Sequence, residues 1–275
     1  MTRDGSLLEN VGSVDAGASL FDGDGRRIPA ELTSAVHKTT RRRFVCTQPE
    51  IDYAAIHRRI GTHLKADGAI TAAEFERRAE AILERLRGDG RTAAVVNAVR
   101  VPFFLPRVLD ARSRDIGQDL DQLYLTAVRA SFEEKFPTYR FTNHDKDGLA
   151  GRLTVAPGSR HERLLEAMQA DVVVGWCFVS LLEYSVPAAI EQMAGLPEAF
   201  LLGGGADICA AFVGSPDLLL RTEGYSPLIW LSGLESDRPQ TGYHFEPYGY
   251  NLTFNRRVHL AQAAEYWASA LVVLG

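Results

Sequence analysis

Apolar residues recur along this chain at two spacings, and each predicts a different element. Thr71-Ala72-Ala73-Glu74 has the form of a capping box, in which a hydroxyl and a carboxylate satisfy backbone N–H groups at a helix start. Phe75, Ala79, Ile82, Leu83 and Leu86 then share one helical face, and Gly88 and Gly90 end the run. Glu50 to Leu64 and His161 to Gln169 read as further helices, as does Asp115 to Lys135 through Ile116, Leu120, Leu123, Tyr124, Ala127 and Val128. Ala188 to Met193 and Ala206 to Phe212 read as short helices, and Thr253 to Leu274 as a closing one.

Other segments are apolar without helical spacing. Ala93 to Leu105, rich in valine and phenylalanine and stopped by Pro106, predicts a buried strand. Val172 to Leu182 is apolar almost throughout, the pattern of a strand buried on both faces. Ala18 to Phe21, Tyr139 to Thr142, Leu218 to Leu220 and Leu228 to Leu231 are shorter strand candidates. Strands and helices alternate, which argues for an α/β fold with a central, mostly parallel sheet flanked by helices. The 275 residues fit one domain over 18–275, after a flexible segment 1–17 rich in Gly, Ser, Asp and Asn.

Charge changes this picture in one place. The chain carries −5 overall, whereas Arg26 to Arg43 holds six positive residues against Glu31 alone. A basic island of +5 in a remainder of −10 suggests a small anionic ligand or a solvated basic loop, not a nucleic acid. Cys46, Cys177 and Cys209 are scattered and have no C-x-x-C partner, so three reduced thiols are expected and no zinc site. No signal peptide and no membrane-spanning stretch is evident, which predicts a cytoplasmic protein and leaves peripheral membrane contact open.

The candidate chemistry lies at the two ends of the chain. In Asp22-Gly23-Asp24-Gly25-Arg26-Arg27, glycines let backbone N–H groups approach an anion, arginines supply charge, and aspartates can hold Mg²⁺ beside phosphate oxygens. D-G-D-G is also a common turn, and D-x-D occurs in phosphatase-type aspartate nucleophiles. Far downstream, Pro216-Asp217-Leu218-Leu219-Leu220-Arg221-Thr222-Glu223-Gly224 resembles the P-D-L-x-I-R-T-S-G signature of the cis-prenyltransferase family. That family opens with a strand ending in D-G-N-G-R-W, which Asp22 to Arg27 also resembles.

This resemblance implies a single domain with about six strands in a parallel core, an apolar tunnel for a prenyl chain, and a homodimer. It implies Mg²⁺ at Asp22 and Glu235, and a prenyl diphosphate cradled by Gly23, Gly25, Arg26, Arg27 and Arg221. His37, Arg41 and Arg42 are further diphosphate candidates. Phe103, Phe104, Trp230 and Tyr248 are pocket candidates, and Asp22, Asp24, Arg26 and Tyr250 are catalytic candidates. Tyr243, Tyr248 and Tyr250 form an aromatic cluster that suits a carbocation, or ordinary packing.

The family's second arginine after R-T-S-G is missing here, where Gly224 leads into Tyr225-Ser226-Pro227. Its F-S-x-E-N-W-x-R stretch is replaced by Phe103-Phe104-Leu105-Pro106-Arg107-Val108. Loss of the isopentenyl diphosphate site with retention of the ionisation corner resembles the superfamily's terpene synthase branch. Its D-G-T-R-R motif aligns with Asp22 to Arg27, or alternatively Thr40 to Phe44 supplies T-R-R-x-F. The function implied is a Mg²⁺-dependent terpene synthase or cyclase. A chain-elongating cis-prenyltransferase and a non-catalytic partner subunit are the alternatives. His244 and His259 lack partners at metal spacing, and Gly203-Gly204-Gly205 reads as a flexible turn.

Overall fold

A computed structural model describes residues 17–37 and 43–275. The predicted flexible segment lies, through residue 16, outside the described residues.

The helices follow their sequence signals closely. Tyr53–His63 (α1) starts at Asp52, whose side chain accepts from the backbone N–H of Ala55. Ala72–Gly88 (α2) starts at Thr71, whose hydroxyl accepts from Glu74 N–H, and buries Phe75, Ala79, Ile82, Leu83 and Leu86. Residues 93–97 form a 3₁₀ turn, so the strand predicted from Ala93 is shorter and covers Arg100–Leu105 (β1). Ile116–Asp119 (α3) runs through a π-helical turn at Leu120–Tyr124 into Leu125–Lys135 (α4). Phe141–Asn143 (β2), Leu153–Val155 (β3) and Glu162–Ala170 (α5) follow, then Val173–Leu182 (β4), buried along almost its whole length. The remainder is Val186–Gln192 (α6), Phe200–Leu202 (β5), Ala206–Gly214 (α7), Leu228–Trp230 (β6), Leu234–Ser236 (β7), Thr241–Tyr248 (β8), Asn251–Val258 (β9) and Trp267–Leu274 (β10).

The class is α/β, but the sheet differs from the expectation. Eight strands form a mixed sheet in the order β1-β4-β10-β6-β8-β9-β2, with β5 also paired to β10. Only β10 with β6 and β2 with β9 run parallel; the other five pairings are antiparallel. The mostly parallel, six-stranded core implied by the resemblance is therefore not what the chain builds. The predicted closing helix is two strands, β9 and β10, with β10 in the sheet interior. Leu218 to Leu220, predicted as a strand, is a turn closed by Leu218 N–H to Ser215 O and Leu220 N–H to Asp217 O. Ala18 to Phe21 is reduced to one bridge, between Phe21 and Arg27.

Helix α7 is apolar all round, and every residue from Asp207 to Gly214 is buried. It is enclosed by β1, α1 and α4, while α2 packs on β4. The indole N–H of Trp176 on β4 donates to Ala79 O of α2 at 2.7 Å, which fixes that helix on the sheet. No helix of the described residues is long and apolar enough to cross a membrane.

Candidate functional site

The residues of the first motif make a tight turn. Asp22 N–H donates to Arg26 O at 2.8 Å and Gly25 N–H to Asp22 O at 3.0 Å. The Asp22 carboxylate accepts from the backbone N–H groups of Asp24 at 3.0 Å and Arg26 at 2.9 Å, an Asx-type turn. Gly25 has φ +76°, and a Cβ there would lie 2.1 Å from Ala98 N, so only glycine fits. Asn97 ties the turn down by donating to Gly23 O at 3.1 Å. Arg27 is buried; its guanidinium donates to Leu20 O and Ile28 O, and its carbonyl accepts from the Tyr184 hydroxyl at 2.8 Å. Burial holds the Arg27 guanidinium below the usual arginine range. Arg27 thus belongs to the packing of the turn and not to a ligand site.

Asp24 and Arg26 are different. They line a cleft of about 310 Å³ together with Val45, Cys46 and Asn97. The segment Phe44–Cys46 also contributes to a larger cleft of about 610 Å³ that contains Arg221. Arg221 donates to Val45 O and to Glu223 O, and Val45 N–H donates to Tyr225 O at 3.1 Å. The two motifs, almost two hundred residues apart in sequence, therefore flank one short segment. Burial pushes the Cys46 thiol up to about 12, partly offset by Arg221, so it is not a nucleophile at neutral pH.

The larger cleft joins arginines to aromatic rings. Phe44 lies 5.7 Å from both Tyr225 and Tyr266, ring centre to ring centre. Tyr250 lines the same cleft and stacks on Tyr139 at 5.2 Å. Arg257 sits over the Tyr266 ring at 5.4 Å and donates to its hydroxyl at 2.8 Å. Glu246 lies 3.5 Å from Arg257 and is held below the usual carboxylate range, first by a hydrogen bond from His244. With Arg221, Arg257 and Glu246 charged, one positive charge remains in excess. The second motif foretold Arg221. Phe44 was marked only as the last residue of the alternative T-R-R-x-F reading, and nothing in the sequence marked Tyr225, Arg257 and Tyr266; they meet through the bridge of Phe44 to Tyr225 and through β9 and the chain after it.

Other candidates do not join this site. Phe103 and Phe104 are fully buried on β1, with Phe104 stacked on His57 at 5.2 Å. Trp230 is buried edge-on between His244 and Trp267. Tyr248 is 78% exposed at the tip of the β8–β9 hairpin. His37 donates its backbone N–H to Glu183 O beside the end of β4. Arg41 and Arg42 lie outside the described residues, so the alternative motif at Thr40 to Phe44 does too, except Arg43 and Phe44.

The acids nominated for Mg²⁺ do not fit it. Asp22 directs its carboxylate to backbone N–H groups, and Glu235 stands on β7, opposite Thr154 of β3, in a separate two-stranded sheet. Among the described residues no group of three or more His, Cys, Asp or Glu side chains is arranged to hold a metal. No protein-family model matches the chain, and no curated protein or solved structure matches it.

Proposed function

We propose that the protein binds and acts on an amphipathic phosphate ester of the prenyl diphosphate class in the 610 Å³ cleft. The observation that carries this reading is the union of Arg221 and Arg257 with a wall of Phe44, Tyr225, Tyr250 and Tyr266. The guanidinium groups take the anionic head, since arginine presents several donors in a fixed fork that matches phosphate oxygens. The rings take the hydrocarbon, and their π faces favour positive charge that develops when the carbon–oxygen bond of an allylic ester ionises. Arginine also stabilises charge on the departing diphosphate. No step is routed through a metal, because Asp22 and Glu235 do not converge.

Calorimetric titration with farnesyl diphosphate, farnesol and inorganic diphosphate tests the binding. Farnesyl diphosphate is expected to bind more tightly than either fragment. Arg221→Ala is expected to weaken it about tenfold, the worth of one charge-assisted hydrogen bond. Equal binding of all three, or none, sinks the proposal. Product analysis without isopentenyl diphosphate tests the chemistry, with hydrocarbon or alcohol and free diphosphate expected. Binding without turnover leaves a binding protein and removes the enzyme.

A further inference from the structure

A second cavity, of about 110 Å³, shares no residue with the cleft. Val108, Leu120, Leu123, Leu165 and Met168 give it apolar walls. Two side chains with polar ends also line it, Tyr124 and His161, and both are buried.

His161 is held rigidly. Its Nδ1 lies 3.1 Å from Leu202 O, with the fully buried Asp207 carboxylate behind it at 3.8 Å. A carbonyl oxygen only accepts, so in the neutral ring Nδ1 carries the proton and Nε2 is an acceptor. Glycines make this packing possible. A Cβ on Gly204 would lie 2.5 Å from Nε2, and one on Gly233 would lie 2.9 Å from Nδ1. Gly204 of the triple glycine, together with Gly233, is therefore a seat for the imidazole. Burial and the neighbouring Asp119 push the Tyr124 hydroxyl upward, so it stays protonated and can donate. Among the described residues neither Nε2 of His161 nor the Tyr124 hydroxyl has a hydrogen-bond partner.

Two more features point to a ligand. Leu120, Leu123 and Tyr124 all belong to the π-helical turn between α3 and α4, a local departure from helical pairing that recurs at functional sites. Arg114 and Asp119 also line the cavity; Arg114 is paired with Asp119, with Nε 2.6 Å from the carboxylate, and lies 3.9 Å from Asp110, so it offers no unpaired positive charge.

We propose that this cavity binds a small neutral ligand of one ring bearing a hydroxyl group, a monocyclic phenol in chemical class. The ring lies among the aliphatic walls, while its hydroxyl donates to His161 Nε2 and accepts from Tyr124. At about 110 Å³ the cavity is smaller than the apolar cavity of about 150 Å³ that takes benzene, so it excludes anything larger than a single ring.

Titration of the full chain with phenol, toluene and benzoate at neutral pH, read by calorimetry and by the shift in Tm, tests this. Phenol is expected to bind and raise Tm, toluene to bind about tenfold more weakly, and benzoate not to bind. Tyr124→Phe is expected to weaken phenol about three- to tenfold and leave toluene unchanged. Leu165→Trp, at a half-buried position on the wall, is expected to abolish both. Equal affinity for phenol and toluene, binding of benzoate, no binding of phenol, or phenol binding that survives Leu165→Trp would each overturn the proposal.

Discussion

The turn at Asp22–Arg27 and the cleft at Arg221 were written in similar letters, glycine, acid and arginine, yet the chain uses them oppositely. In the turn the carboxylate, the glycine and one arginine are consumed by backbone groups of the turn and its neighbours. In the cleft Arg221 and Arg257 are braced by neighbours and still face open space. The lesson is that a motif's residue types specify what it can bind, while its backbone geometry decides whether anything but the protein itself is bound. Only Asp24 and Arg26 among the first motif's charged groups face a cleft.

This contrast can be broken by mutation. The largest effect is expected from Gly25→Ala, which combines a left-handed φ with a collision against Ala98 N. A loss of about 3 kcal/mol in chemical denaturation is predicted. Arg27→Met should follow at about 2 kcal/mol, because it strands the carbonyl of Ile28 and removes one of the two donors to Leu20 O. Asp22→Ala should cost about 1 kcal/mol, and Asp22→Asn, which keeps the accepting oxygen, should recover most of it. If Asn behaved like Ala in stability, the turn-forming role of Asp22 would be wrong. Ligand titration sharpens the same contrast, since Arg27→Met should leave farnesyl diphosphate affinity unchanged wherever the variant is folded.

The smallest effect concerns the irregular segment at Thr33 and Ser34. Glu191 on α6 accepts from the N–H and hydroxyl groups of both Thr33 and Ser34. These bonds lower its carboxyl from 4.5 to about 2. A folded-state value below the unfolded one means the contribution is complete above about 4.5 and fades as pH falls toward 2. The protection factors of the Thr33 and Ser34 amides, taken against the intrinsic exchange rate at each pH, should therefore fall over that interval, and Glu191→Gln should flatten the dependence.

Local signals in the sequence proved dependable where they involve a few neighbouring residues. The Thr71 hydroxyl cap and the apolar face of α2 appear as read, although the Glu74 carboxylate pairs with Arg77 and does not complete the capping box, and the apolar run at 172–182 is a strand buried along almost its whole length. The C-terminal region was misread for a physical reason. β9 is buried at Leu252, Thr253 and Phe254 and exposed at Arg256 and Val258, so its burial changes along the strand and not by alternation. β10 is buried at every position from Trp267 to Val273 and so carries no alternation at all. A continuous apolar run fits a buried helix and a buried strand equally, and Val272 and Val273 were the available hint toward a strand. The parallel sheet was inferred from alternation of element types, which says nothing of strand direction when β10 enters the middle of the sheet. Of the site, Arg221 and Tyr250 were legible because motif and cluster named them. Arg257 and Tyr266 were not, because their meeting depends on β8 and β9 folding back together.

The position of β10 has a consequence for how the molecule assembles. It bridges β4 on one side and β5 and β6 on the other, although it is last in chain order. The β8–β9 hairpin forms from adjacent chain, but β4 and β10 are about ninety residues apart. Joining the two halves of the sheet therefore waits on a long loop closure, and such closures slow folding. Until it happens, β4 and β6 each present an unpaired apolar edge, the kind of surface through which a folding intermediate associates with its copies.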